Sequence, residues 1–165
     1  MKGPEQSVEQ IQGFLQIDDH LGTAGQPFQD QFPVISDAGY RVVINLALPD
    51  SWDELPDEAQ TVTGLGMEYI YIPVVWESPQ PRDLDQFFTA MDRLSGEKVF
   101  VHCARNMRVS AFVYLYRVIR LGVPAETAQK DLFRIWNPNP TWQNFIDRSL
   151  ESKPGNGPVS ESLTG

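Results

Sequence analysis

Three short apolar runs constrain this chain most: RVVINLAL (41–48), EYIYIPVV (68–75) and KVFVHC (98–103). Each is rich in β-branched or aromatic residues and is followed by a stretch of helical periodicity, the pattern of strands lying side by side in a buried sheet. Strands alternating with helices imply an α/β layered domain whose largely parallel central sheet lies between helices. An earlier piece, FLQIDDHLGTAG (14–25), is expected to add one or two shorter strands at an edge. In such sheets ligands bind beyond the carboxyl ends of the strands, so the loops to watch are 47–56, 75–83 and 103–108.

The helical segments have recognisable stripes. Leu84, Phe87, Phe88, Met91 and Leu94 recur at spacings of three or four, and Gly96 supplies a stop. Phe28, Phe32 and Ile35 form a second stripe over 26–40, with Pro33 starting or kinking it. PDEAQTVTGLG (56–66) is weaker, with Pro56 at a first-turn position. RVSAFVYLYRVIRL (108–121) is apolar around most of its circumference, which marks a helix buried centrally. Helices over 124–136 and 140–150 follow. The last stretch, 151–165, is rich in Gly, Pro and Ser and reads as a disordered tail after one domain spanning 1–150.

Composition limits the function classes. The net charge of -9 argues against a nucleic-acid surface, which needs clustered Lys and Arg. No apolar run approaches the ~20 residues that cross a bilayer, and the N-terminus lacks a secretory pattern. A single cysteine excludes an internal disulfide, and the cytoplasm is the default compartment. No His/Cys/carboxylate spacing suggests a metal, and no cofactor is expected. Against the acidic background, Arg105, Arg108, Arg117 and Arg120 cluster after Cys103, as in a protein that binds a small anion, although a solvated helix face is the commoner meaning of such a cluster.

Cys103, the only cysteine, stands where the third strand ends and the central helix begins. The connection ARNM is too short to wander. A curled loop ahead of a helix N-terminus gathers backbone N–H groups and the positive end of the helix dipole into one space. A cysteine at the base of that cradle favours the nucleophilic thiolate, with Arg105 and Arg108 adding charge and Ser110 able to donate a hydrogen bond to sulfur. Free cysteines are more often inert packing, but inert packing needs none of these companions. Asn106 is the non-glycine residue best able to adopt the positive φ that such a loop requires.

HCARNMRVS resembles the signature of cysteine-dependent phosphatases: His-Cys, a short loop, an Arg, and a Ser or Thr opening a helix. With LGTAGQP, AGYRVVINL and GMEYIYIPV, the stretch from 14 to 120 resembles bacterial dual-specificity-type phosphatases related to the beta-lactamase-hydrolase-like proteins. The resemblance implies a protein-tyrosine-phosphatase-like three-layer fold with a C-terminal helical part. It implies hydrolysis of a phosphate monoester, carried by a small molecule or a phosphoprotein, through a phosphocysteine. Cys103 would attack. Arg108 and the backbone of Ala104, Arg105, Asn106, Met107 and Val109 would hold the phosphoryl oxygens. His102 would orient the loop.

The match has two gaps. The usual signature has five residues between Cys and Arg, whereas Ala104 to Met107 make four, so that Val109 stands at the usual Arg position and Ser110 at the usual Ser/Thr distance. Either the loop is shortened and Arg108 turns inward, or the pocket lacks its arginine and the protein is a phosphate-binding pseudophosphatase. The short loop also resembles rhodaneses, where such a cysteine carries a persulfide. The general acid is the second gap. The family has an Asp on the loop that here reads VWESPQPRDLD, and Trp76 falls near its place. Glu77 is the nearest candidate, Asp83 and Asp85 are expected to cap and decorate the next helix, and Asp50 and Glu58 lie within conceivable reach. Trp136 and Trp142 read as core anchors.

Overall fold

A computed structural model describes residues 7–49 and 55–152. Five strands, β1 (Leu15–Asp18), β2 (Leu21–Ala24), β3 (Val42–Asn45), β4 (Glu68–Tyr71) and β5 (Val99–His102), form one sheet in the order β1-β2-β5-β3-β4. β1 and β2 pair antiparallel, and every other pairing is parallel. Six helices accompany them: α1 (Phe32–Asp37), α2 (Glu58–Gly64), α3 (Pro81–Arg93), α4 (Met107–Ile119), α5 (Ala125–Ile135) and α6 (Pro140–Ser152).

Strand alternation divides the apolar residues between two cores. Val42, Ile44, Val99 and Val101 face Leu84, Phe87, Phe112 and Trp142 on the α3–α6 side. Val43 and Phe100 face Phe32, Ile35, Tyr40 and Val62 on the α1–α2 side. This is the expected α/β three-layer arrangement, with β5, and Cys103 just past its end, at the centre. The centrality of α4 also holds, because ten of its thirteen residues are buried.

The differences are local. The 14–25 piece gives both strands, but only β1 is an edge. β2 lies inside the sheet, buried at all four positions and in parallel register with β5, from Leu21 opposite Val99 to Ala24 opposite His102. The Phe28 stripe fails at its first member: Phe28 precedes a 3-10 turn (Gln29–Gln31) and stays 66% exposed, and the α-helix begins only at Phe32, with Pro33 in its first turn. Pro56 lies ahead of α2, not inside it. Residues 153–165, most of the expected tail, lie outside the described residues. Among the described residues no helix is long and apolar enough to cross a membrane.

Candidate functional site

The loop from Cys103 to Asn106 leaves the carboxyl end of β5 and is held from outside by the segment after β2. Cys103 N–H donates to Ala24 O (3.4 Å), Gln26 N–H donates to Ala104 O (3.0 Å), and Gly25 forms an antiparallel bridge with Arg105. Asn106 has φ 67° and ψ 1°, the left-handed conformation expected of it. It is the one non-glycine residue at positive φ among the described residues. Its amide does not face an anion; it donates to Gly13 O (2.7 Å) and Thr23 Oγ1 (3.1 Å), tying the loop to the β1–β2 hairpin.

α4 starts immediately after Asn106. Its first helical bond runs from Ser110 N–H to Asn106 O (2.8 Å). The N–H groups of Met107, Arg108 and Val109 therefore have no helical acceptor and stand at the positive end of the dipole. Cys103 is 1% exposed beside this turn.

Arg108 turns inward and is 6% exposed. It donates from Nη1 to Val74 O (3.2 Å) and its guanidinium lies 5.7 Å from the centre of the Trp76 ring. Its Nε meets no acceptor, and no carboxylate pairs with it among the described residues. A buried guanidinium without a counter-charge is costly to desolvate. What its planar donor fork matches is an oxyanion.

The wider arginine cluster does not assemble. Arg117 pairs with Asp131 of α5 (2.7 Å) and Arg120 with Asp92 of α3 (3.0 Å), both at the far end of α4, where they brace helices. Arg105 is exposed on the loop.

His102 lies fully buried behind the loop. One ring nitrogen, Nδ1, faces Cys103 O (3.3 Å), and Nε2 meets Glu58 Oε2 of α2 (2.5 Å). Gln26 Nε2 donates to the other Glu58 oxygen (2.8 Å), and Asn45 Nδ2 donates to Tyr69 Oη (3.0 Å), whose hydroxyl also bonds Glu58. Burial pushes the Glu58 carboxyl up, but the His102 ring together with these hydrogen bonds outweighs it and holds the group below its ordinary value. Burial, then the Glu58 charge, pushes the Tyr69 phenol up. The orienting position expected for His102 is thus built from a partner 44 residues away that sequence spacing could not supply. Gln26, which holds Glu58 from the other oxygen, belongs to the LGTAGQP stretch.

The acid candidates fare differently. Glu58 is committed to His102 as a carboxylate and has no proton to give. Glu77 is exposed and borders a groove of about 260 Å³ with Ser78, Gln80, Asn144 and Arg148, a lining that includes none of residues 102–110. Asp83 sits in the first turn of α3, where its backbone N–H bonds Gln80 O and burial pushes its carboxyl up. Asp85 is on the exposed face of the same helix, and Asp50 lies outside the described residues. Ser110 also departs from expectation: its hydroxyl donates to Met107 O (2.8 Å) and accepts from Trp136 Nε1 (3.0 Å), so its proton is turned along the helix.

No family model matches the sequence. The beta-lactamase hydrolase-like protein of Xylella fastidiosa is 30% identical over 108 residues, 64% of this chain and 25% of that protein. The Agrobacterium fabrum protein of the same description is 33% identical over 100 residues, 57% of this chain and 22% of its own. The chain therefore spans about a quarter of the length of the curated relatives it matches. Among solved structures, a DUF442 phosphatase candidate from Shewanella putrefaciens superposes with a TM-score of 0.80 at 36% identity, covering 90% of this chain and 97% of that one. The core catalytic domain of the PP-IP phosphatase SIW14 from S. cerevisiae gives a TM-score of 0.69 at 13% identity over 83% of this chain and 85% of that one, a likeness of fold alone.

Proposed function

Because the chain belongs to the protein-tyrosine-phosphatase-like DUF442 family, we propose that it is a cysteine-dependent phosphatase acting on a phosphate monoester. One observation carries the reading: the buried guanidinium of Arg108, with its unpartnered Nε, stands in the first turn of the helix that follows Cys103. An oxyanion seated there would compensate that charge and occupy the N–H groups of the same turn.

In this mechanism the Cys103 thiolate attacks phosphorus in line and the bond to the leaving oxygen breaks. Arg108 and the loop amides hold the equatorial oxygens, so the catalytic effect is mainly electrostatic. Water then attacks the phosphocysteine, returning the thiolate and releasing inorganic phosphate. His102, fixed by Glu58, acts on the carbonyl side of Cys103 as a positioning residue. The substrate is a phosphorylated small molecule or a phosphoprotein carrying phosphotyrosine or phosphoserine.

Sulfur transfer through a Cys103 persulfide is the second reading. The four-residue interval from Cys103 to Arg108 favours it, because a smaller loop leaves less room for a tetrahedral phosphoryl group. An aryl phosphate assay under reducing conditions, with Cys103→Ser as control, tests the first reading. Turnover abolished by that substitution supports it. A folded wild type that leaves aryl phosphates intact yet moves sulfur from thiosulfate to cyanide would replace it with the second.

A further inference from the structure

Trp136 lies just past the end of α5, in an extended conformation (φ -169°, ψ 166°) that takes it out of the helix. It is only partly buried, unlike the fully buried Trp142, so packing alone does not account for where its polar atom goes. Its indole N–H reaches across to α4 and donates to Ser110 Oγ (3.0 Å), and Ser110 Oγ donates onward to Met107 O (2.8 Å). This chain of two bonds closes on the first turn of α4, the turn that carries Arg108.

The same indole ring also packs on the Trp76 ring that lies against Arg108. Trp136 lies 5.3 Å from the Trp76 ring, which is the surface under the Arg108 guanidinium. Trp142 completes the triangle, 5.7 Å from Trp76 and 6.4 Å from Trp136, and donates from its indole N–H to Trp76 O (2.8 Å). Trp136 therefore touches both things that aim the guanidinium: the helical turn it grows from, through Ser110, and the aromatic face it lies on, Trp76.

We infer that Trp136 is a positioning residue for the oxyanion site, holding Arg108 in register through the Ser110 hydroxyl and the Trp76 ring. The inference rests on the phosphatase reading above and deepens it, by assigning the α5–α6 connection a part in that site. It also explains the fate of Ser110. The hydroxyl is engaged by Trp136 and Met107, so its contribution to the site is to transmit the position of the indole. With no carboxylate partner among the described residues, the guanidinium is fixed by the Val74 carbonyl and the Trp76 ring, and an error of about 1 Å in such a group costs on the order of a hundredfold in rate.

The test uses the full chain with Trp136→Phe, Ser110→Ala and the double variant. Tungstate affinity is read by calorimetry, and kcat/KM is read with an aryl phosphate. Trp136→Phe keeps an aromatic ring against Trp76 and removes the N–H; Ser110→Ala removes its acceptor together with the onward bond to Met107 O. Each is expected to weaken tungstate binding and lower kcat/KM by about tenfold, with the double variant no worse than either single one, because both cut the same chain. A structural role alone would lower the melting temperature without that shared, non-additive loss of tungstate affinity. If wild type binds tungstate and turns over substrate while Trp136→Phe matches it in both, the inference fails and the phosphatase reading stands. Multiplied effects in the double variant overturn it equally. A wild type that neither binds tungstate nor hydrolyses the ester sinks both. Should Trp136→Phe not fold, Ser110→Ala decides: unchanged tungstate affinity there overturns the proposal.

Discussion

A Cβ built on Gly25 would sit 2.6 Å from the carbonyl oxygen of Ala104 and 3.1 Å from Cα of Arg105. Both are backbone atoms of the cysteine loop, and neither can step aside without moving the loop. The bare glycine lets the segment after β2 lie flat against Cys103–Arg105 and accept its place through the Gln26 to Ala104 bond. Glycine is needed at this place in LGTAGQP because of a close approach. Gly25→Ala is therefore expected to displace the loop. The protein should lose about 1–3 kcal/mol of stability, the usual range for overpacking, and aryl phosphate turnover should fall far more than that loss would cause by unfolding. Paired denaturation and kinetic measurements check it; normal kcat/KM with normal stability would contradict the close approach.

The His102–Glu58 pair makes stability depend on acid in a defined direction. Burial raises the Glu58 carboxyl, but the His102 ring, Gln26 and Tyr69 more than reverse that, so its folded value lies below the unfolded one. Between the two values the unfolded chain binds more protons, and stability there rises with pH. The contribution is complete above the unfolded carboxyl value of about 4.3 and disappears as pH falls through the folded value. Urea titrations from pH 7 to 3 should show this loss. In Glu58→Gln the slope in that acid window should shrink, and stability at pH 7 should drop by about 1.5–3 kcal/mol, because a buried charge-assisted hydrogen bond has been weakened. An unchanged acid slope would mean that Glu58 does not carry it.

Much of this was legible from residue patterns, and the boundary is physical. β3 and β5 are runs of β-branched and aromatic residues buried at every position, β4 shares their composition but lies half-exposed at the sheet edge, and α4 is apolar all round; these patterns are local and survive translation into three dimensions. The left-handed Asn106 follows from a short curled loop, and the inward Arg108 is one of the two solutions that loop left open. Phe28 departs from its stripe because three apolar residues at helical spacing do not reveal that the first lies before the helix. The partners of the site could not be read at all. Asn106 bonds Gly13 across 93 positions, Glu58 reaches His102 across 44, and Ser110 meets Trp136 across 26. Such pairs are decided by how the sheet is ordered, above all by β2 entering beside β5, and no periodicity encodes them.

Arg108 should show opposite effects on stability and function. Its charge is buried without a carboxylate and its Nε has no acceptor, a combination kept only at a cost to the fold. Arg108→Met, similar in length and apolar, is expected to hold or raise stability by about 1–2 kcal/mol while abolishing tungstate binding. Arg108→Lys retains the charge but loses the planar fork and the stacking on Trp76, and kcat/KM should fall by about 10²–10³-fold. Thermal melts beside calorimetry separate the two effects. A destabilised Arg108→Met that still binds tungstate would show that the guanidinium serves the fold instead.

The acid side of the reaction leads to a prediction about leaving groups. Glu58 is held as a carboxylate by His102, and Glu77 faces the α6 groove, so neither stands ready to protonate an oxygen leaving from Cys103. General-acid assistance is typically worth about 10²–10⁴-fold. Where neither Glu58 nor Glu77 supplies a proton, a leaving oxygen that departs as an anion makes the rate follow how well that anion bears its charge. Across a series of substituted phenyl phosphates, kcat/KM is expected to fall by roughly tenfold for each unit of phenol pKa, with alkyl phosphates slowest of all. Glu77→Gln should leave the whole series within about twofold of wild type. A flat series would mean that a proton is delivered after all, and a flat series made steep by Glu77→Gln would identify Glu77 as its donor, against the position it occupies here.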